Sequence, residues 1–206
     1  MLLQLEAGNT LATLSPALAS LLKMESNDSA LTEGDFRKTL EKSNASLHDA
    51  DNIYYFKEKD AALLEIDVRA RQLTSDDADA FLAFQKLSTE EDLDGAYVEL
   101  DHWAVFGLFE GNTLVCAASM YPWDDARIAD LGVLTAEQYR GKGYAVKLVR
   151  SICRYALDQG YTPQYRCQLD NLASVGLAKA AGLSHFGKWE VISPNSTHST
   201  LETLVH

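Results

Sequence analysis

The sequence predicts an α/β fold carried by residues 66–206, preceded by a small, mainly helical N-terminal region over residues 1–65. Two observations predict it. Beyond residue 66, short runs rich in aromatic and β-branched residues alternate with amphipathic stretches that open on helix-capping residues. Before it, capped apolar periodicities of helical spacing come first and hold no chemical motif. At 206 residues the chain is long enough for one sizeable core, or for one domain with a small addition.

Ser15 followed by Pro16 supplies an N-cap and a first-turn proline, and Leu18, Leu21 and Leu22 then repeat on one helical face. Thr32, with Asp35 three residues on, opens a second helix carrying Phe36 and Leu40. "NIYYF" reads as a strand and the following "KEKD" as a turn. Short helices cannot bury such faces alone, so this region reads as a packing or dimerisation element, and a homodimer is among the expected assemblies. "IDVRARQL" reads as a strand, after which Thr74 and Asp77 cap a helix carrying Ala78, Phe81, Leu82 and Gln85. "STEEDLDGAYVELD" reads as a charged loop. "HWAVFGLF" and "TLVCAASMY" are strands joined by a three-residue turn, Glu110, Gly111 and Asn112. "RIADLGVLT" is the next strand, and a helix runs from about Lys142 to Asp158, ending before Gly160. "QYRCQL" is a strand, "NLASVGLAKAAG" a helix closed by Gly182, and "HFGKWEVI" a last strand. From residue 66 the order is therefore β-α-β-β-β-α-β-α-β.

The totals exclude several functions. A net charge of −12 and a pI near 4.7 deny the chain the basic face a general nucleic-acid binder needs. Three cysteines (Cys116, Cys153, Cys167) show neither a disulfide framework nor metal-ligand spacing, which points to a reducing cytoplasm. The five histidines never fall at HExxH or similar spacing, so no metal site is expected. The leading "MLLQLEAGNTLATLSPALASLL" lacks a basic start and carries Glu6 and Pro16, unlike a signal peptide. No apolar run approaches the ~18 residues of a membrane span, so no membrane partner is expected.

One stretch carries chemistry. In "TAEQYRGKGYA", at 135–145, a strand runs in and a helix runs out. A helix N-terminus presents unpaired N–H groups and a partial positive charge, which suits an anion. Gly141 and Gly143 leave the backbone bare, while Arg140 and Lys142 add charge. The spacing is neither that of a Walker loop nor that of the dinucleotide fingerprint. Five cations (Arg140, Lys142, Lys147, Arg150, Arg154) and no acid lie between residues 140 and 154. They read as a phosphate cradle with a basic flank, or more blandly as a solvated basic face.

"VLTAEQYRGKGYA" resembles motif A of the GNAT superfamily of acetyl-CoA-dependent N-acetyltransferases, whose core is R/Q-x-x-G-x-G/A. The match is Arg140, Gly143 and Ala145, with Gly141 also in place. "NLASVGLAKAAGL" is similar to the family's second segment through Asn171, Ser174, Leu177, Gly182 and Leu183. The resemblance covers about residues 66–193. It implies a mixed, largely antiparallel sheet flanked by helices, with acetyl-CoA as co-substrate. It implies further that the backbone of Val133 and Thr135 meets the pantetheine arm. The amides of Arg140, Gly141, Lys142, Gly143, Tyr144 and Ala145 would hold the pyrophosphate, with Asn171 and Ser174 nearer the reactive end. For Asn171 and Ser174, plain helix capping is an equal account.

Acetyl transfer to an amine requires loss of a proton from a group titrating near ~10, a donor to the developing oxyanion, and departure of a thiol titrating near ~8.5. Many family members carry a tyrosine acid where this chain has Ala178. Tyr121, Tyr144 and Tyr165 read as packing, and Cys153 and Cys167 as core. The catalytic groups are therefore unassigned, with Asp130 and Glu99 as weak candidates. Glu90, Glu91, Asp92, Asp94, Glu99 and Asp101 read as an acidic rim that attracts a cationic amine, or as a solubilising loop. The leading expectation is a cytoplasmic acyltransferase that moves an acetyl group from acetyl-CoA to the primary amine of a small molecule. A protein or peptide N-acetyltransferase and a non-catalytic CoA-binding module are the alternatives.

Overall fold

The computed structural model describes residues 1–22, 32–123 and 125–193. The Leu21 side chain, counted above in the first apolar face, lies outside the described residues, as do His198 and His206. In chain order the elements are β1 (Leu2–Leu5), β2 (Thr10–Ala12), α1 (Pro16–Leu21), α2 (Glu33–Lys42), β3 (Asp51–Tyr55), α3 (Glu58–Ala61) and β4 (Ala70–Gln72). There follow α4 (Ala78–Gln85), α5 (Glu90–Ala96), β5 (Ala104–Glu110), β6 (Thr113–Pro122) and β7 (Ile128–Thr135). The last four are α6 (Tyr144–Asp158), β8 (Thr162–Gln168), α7 (Leu172–Ala181) and β9 (Ser184–Glu190).

The chain divides into two compact units, one of residues 1–52 with 186–206 and one of residues 53–185. In the smaller unit β1 pairs antiparallel with β2 and with β9, Leu2 lying opposite Glu190. Both sequence-predicted caps are made: Ser15 Oγ accepts from the Leu18 amide at 3.2 Å and Thr32 Oγ1 from the Asp35 amide at 3.2 Å. These caps fix helices whose apolar faces, Leu18, Leu22, Phe36 and Leu40, close on Leu2 and Ala45. Arg37 grips Glu190 through both nitrogens, at 3.0 and 2.6 Å, and Glu33 through Nε at 2.9 Å.

The larger unit carries the strand order β3-β8-β7-β6-β5-β4. Pairing is antiparallel from β4 through β7, and parallel between β7 and β8. This is a mixed, largely antiparallel sheet flanked by helices. On one face α6 buries Leu148, Val149, Ile152, Cys153 and Ala156 against Ala104, Phe106, Leu108, Ala118, Met120 and Leu131. On the other, Phe81 and Phe84 of α4 pack with Leu73, Val98, Val105, Leu114, Ala117 and Leu134. Period-two alternation along β5 and β6 sorts these side chains to the two faces.

Several elements depart from the sequence reading. A β1–β2 hairpin precedes the first helix, where no strand was expected. "KEKD" forms the start of the one-turn helix α3. The strand expected over 66–73 shrinks to Ala70–Gln72, because Asp67 folds back on Arg69 through backbone and side-chain bonds of 2.9–3.1 Å. Thr89 caps α5 by accepting from the Asp92 amide at 3.1 Å, so the expected charged loop is in part a helix. Glu110 pairs directly with Thr113, which makes the turn two residues long rather than three.

Candidate active site

β7 is paired with β6 from Ala129 to Thr135, but with β8 only from Ile128 to Leu131. Beyond Leu131 the two parallel strands part. Among the described residues, the edge of β7 from Gly132 to Thr135 therefore has no β8 partner. An unpaired strand edge offers backbone donors and acceptors to whatever enters the opening.

The opening leads to the start of α6. Gly141 and Gly143 both sit at φ +77°, and a Cβ at either would meet nothing within 4 Å. The left-handed backbone favours glycine, and the space beyond it is open. No side chain caps α6 and no acid lies in its first turn. The caps of α1, α2, α5 and α7 are, by contrast, filled by Ser15, Thr32, Thr89 and Asn171. A fifteen-residue helix thus begins with uncapped amide donors beside two glycines that face open space.

The nearby cations are held by acids. Arg140 reaches Asp92 at 2.9 Å and donates through Nε to the Thr135 carbonyl at 3.1 Å. Lys142 lies 3.4 Å from Glu110 and 4.9 Å from the Tyr139 ring centre. The Tyr144 hydroxyl, on a buried residue, also donates to Glu110. The basic flank of the sequence reading is mostly structural: Arg150 donates to the Ala181 and Leu63 carbonyls at 3.0 and 3.3 Å, and Arg154 pairs with Asp158.

The other predicted residues fall as follows. Val133 lies on the opened part of β7, opposite Ala118 of β6, and is packed against the larger core. Thr135 bonds through Oγ1 to Cys116 Sγ at 3.1 Å. Ala145 is half-buried in the first turn of α6. Asn171 Oδ1 accepts from the Ser174 amide at 3.0 Å, which is the capping account. Ser174 also bonds the Tyr165 phenol, whose burial pushes it up to about 12. Ala178 is fully buried in the core on which α7 packs. Burial also pushes the Cys116 thiol up to about 12 and Cys153 higher still, leaving both as core thiols.

The two weak catalytic candidates part company. Glu99 is exposed, and only its backbone amide turns inward, 3.4 Å from Ser119 Oγ. Asp130 is 4% exposed, and both its oxygens are occupied. Oδ1 accepts from Gln164 at 3.0 Å, and Oδ2 from Tyr121 at 3.2 Å and Arg166 Nε at 2.8 Å. The Tyr55 hydroxyl donates to Gln164 in turn, and the Arg166 guanidinium lies 5.2 Å from the Trp123 ring centre.

Beside this ion pair stands a group that sequence reasoning missed. The His102 ring contacts Tyr97 and Tyr121, with centroids 5.0 Å away in each case, and Tyr97 and Tyr121 meet at 5.4 Å. His102 Nδ1 lies 2.8 Å from Ser119 Oγ. Ser119 is opposite Gly132 in the β6–β7 register, where β7 loses β8. Burial lowers the imidazole below its ordinary 6.5, against the raising effect of Asp101 and Glu99. The available signal was position: His102 closely precedes a strand and is flanked by acids, which no spacing motif registers.

Among the described residues, no group of three or more His, Cys, Asp and Glu is arranged to hold a metal ion, and no helix is long and apolar enough to cross a membrane. Residues 70–183 match the model of the acetyltransferase (GNAT) family. A comparison with curated proteins finds no match. Among solved structures, a GNAT-family acetyltransferase from Colwellia psychrerythraea is similar at TM-score 0.57 and 20% identity, over 88% of this chain and 76% of that one. A GNAT-family protein from Novosphingobium aromaticivorans gives TM-score 0.55 and 14% identity, over 72% of this chain and 65% of that one. A GCN5-related N-acetyltransferase from Kribbella flavida gives 0.54 and 12%, over 77% and 63%. The chain thus spans just under two thirds of the length of the last two.

Proposed function

The chain belongs to the acetyltransferase (GNAT) family, and from that premise we propose that it transfers an acetyl group from acetyl-CoA to the primary amine of a small molecule. One observation carries this reading: the opened edge of β7 runs into an uncapped, glycine-flanked helix start. An acyl carrier with a polar arm and a pyrophosphate matches both parts in order. In this proposal the backbone of Val133 and Thr135 bonds the arm along the strand edge. The amides from Arg140 to Ala145, helped by the α6 dipole, hold the pyrophosphate. Gly141 and Gly143 admit it, and Arg140 and Lys142 turn from Asp92 and Glu110 towards it. Asn171 and Ser174 stand at the α7 end of the opening.

Acetyl-CoA supplies an acetyl thioester; the remaining work falls to this chain's residues. A backbone N–H on the opened edge of β7 donates to the carbonyl oxygen as it gains charge. The aromatic pair Tyr97 and Tyr121 suits the apolar body of a small acceptor. Glu90, Glu91 and Asp94, exposed on α5, favour the approach of a cation. We place the reaction in the cytoplasm, the compartment that three free cysteines suit.

The test is CoA release from acetyl-CoA across a panel of small primary amines and of peptides, with acetyl-CoA binding followed separately by calorimetry. Small amines are expected to stimulate release well above background. Stimulation by peptides alone would move the acceptor to proteins. Binding without stimulated release by either would leave a CoA-binding module.

A further inference from the structure

We propose that His102 is the catalytic base: its Nε2 takes the proton that the acceptor amine must lose as its nitrogen attacks the thioester. The inference rests on the acetyltransferase reading above and names a residue for it. In the step, the C–N bond forms at the acetyl carbon and the C–S bond breaks. The acceptor reacts as the neutral amine, its ammonium proton having gone to solvent. The sulfur leaves with the electron pair as thiolate, and the excess proton on the attacking nitrogen moves to Nε2.

Position comes first. His102 is tied through Nδ1 to Ser119, and Ser119 faces Gly132, the first residue of β7 beyond its last pair with β8. The imidazole therefore stands beside the opened edge to which the acyl carrier is assigned. Gly132 itself is overlain by the end of α5, whose Ala96 carbonyl lies 2.2 Å from where a Cβ would be. That same chain end brings Tyr97 onto the histidine ring.

The proposal includes the tautomer with the ring proton on Nδ1. Ser119 Oγ accepts from the Glu99 amide at 3.4 Å and lies 2.8 Å from His102 Nδ1; its second lone pair is free to accept the Nδ1–H that this assignment requires. With the proton on Nδ1, the lone pair is on Nε2, which has no partner among the described residues. Tyr97 and Tyr121 hold the ring from two sides. Burial keeps the imidazole neutral at neutral pH, so that the lone pair is present.

The neighbouring groups do not compete. Asp130 is committed to Arg166, Gln164 and Tyr121, and the Tyr121 phenol is raised by burial and spent on Asp130. Glu99 and Asp101 are exposed carboxylates of the same segment; they favour the imidazolium once it forms. Tyr97, Ser119 and Tyr121 also face the ring.

The test uses the full chain and an amine active with the wild type. CoA release is measured at saturating substrates from about pH 5.5 to about pH 9, and acetyl-CoA affinity by calorimetry. For His102→Gln the expected result is affinity within about twofold, a kcat lower by about 10²–10⁴-fold, and loss of the acid limb of the pH profile. Ser119→Ala, which frees the tautomer but keeps the ring, should lower kcat about tenfold and move that limb. Ring-labelled histidine followed by NMR in the wild type should show His102 titrating with the acid limb, a result that needs no variant. A His102→Gln enzyme with wild-type kcat and limb overturns the assignment, as does an NMR titration that misses the limb. If the wild type binds acetyl-CoA but no amine stimulates release, the activity reading falls first and this assignment with it.

Discussion

Gly143 has a left-handed backbone, bare amides behind it and open space in front. Gly143→Asp would set a carboxylate where an anion is proposed to lie. Acetyl-CoA binding measured by calorimetry should fall below detection while the circular dichroism spectrum is kept, since nothing obstructs the new Cβ and aspartate adopts the left-handed backbone at a cost of only about 1–2 kcal/mol. Unchanged affinity in a folded variant would remove the pyrophosphate from this turn. Cys116 and Cys153 make the opposite case, residues with chemistry on paper and none in place. Both are fully buried and their thiols are raised by desolvation. A maleimide at neutral pH should leave both unlabelled in the native protein and label both in denaturant.

α5 is held by the close approach of its C-terminal end to Gly132, and Tyr97 ends it in a left-handed conformation, at φ +47°. Gly132→Ala would drive a methyl into the Ala96 carbonyl, so α5 must shift. We expect a loss of about 1–3 kcal/mol in urea unfolding, and lower turnover because Tyr97 leaves His102. α5 itself was hard to read. "EEDLDGA" has one large apolar residue and a glycine, hence no periodicity, and only the Thr89–Asp92 cap announces it. Elements with strong local signals were legible: the Ser15 and Thr32 caps, β7, α6 and its two glycines. The turn proposed to hold the anion could be picked out for the same reason, since its glycines, cations and helix start are contiguous in sequence. The cluster around His102 was not. Ser119, Tyr121 and Asp130 are brought together by the register of β6 on β7, and Arg166 arrives on β8. No contiguous stretch contains that information.

Across the whole molecule, two kinds of group tie stability to acidity. Glu33, Asp67, Asp77 and Asp158 are held below their ordinary range, chiefly by hydrogen bonds from Arg37, Arg69, Arg71 and Arg154. A depressed carboxylate contributes stability above its unfolded value, 4.5 for Glu33 and 3.8 for the aspartates, and loses it as pH falls through the folded value. His102 is also depressed, but its charged form is the protonated one. The unfolded chain takes up that proton first, so stability declines once pH drops below about 6.5. The urea midpoint should therefore be level above neutrality, slope gently below pH 6.5 and steepen below about 4.5. His102→Gln should abolish the gentle slope and spare the steep one.

The smaller unit is made from both ends of the described chain, with the larger unit's residues between them. On a ribosome that arrangement sets a schedule. β1 emerges well before its partner β9, so the hairpin and its two capped helices wait while residues 53–185 are made. Arg37 meanwhile lacks Glu190, and the apolar faces of Leu18, Phe36 and Leu40 remain open to wrong partners. Nascent chains stalled before residue 186 should be cut by protease within residues 1–52 and resist within residues 53–185. Emergence of β9 should then protect residues 1–52.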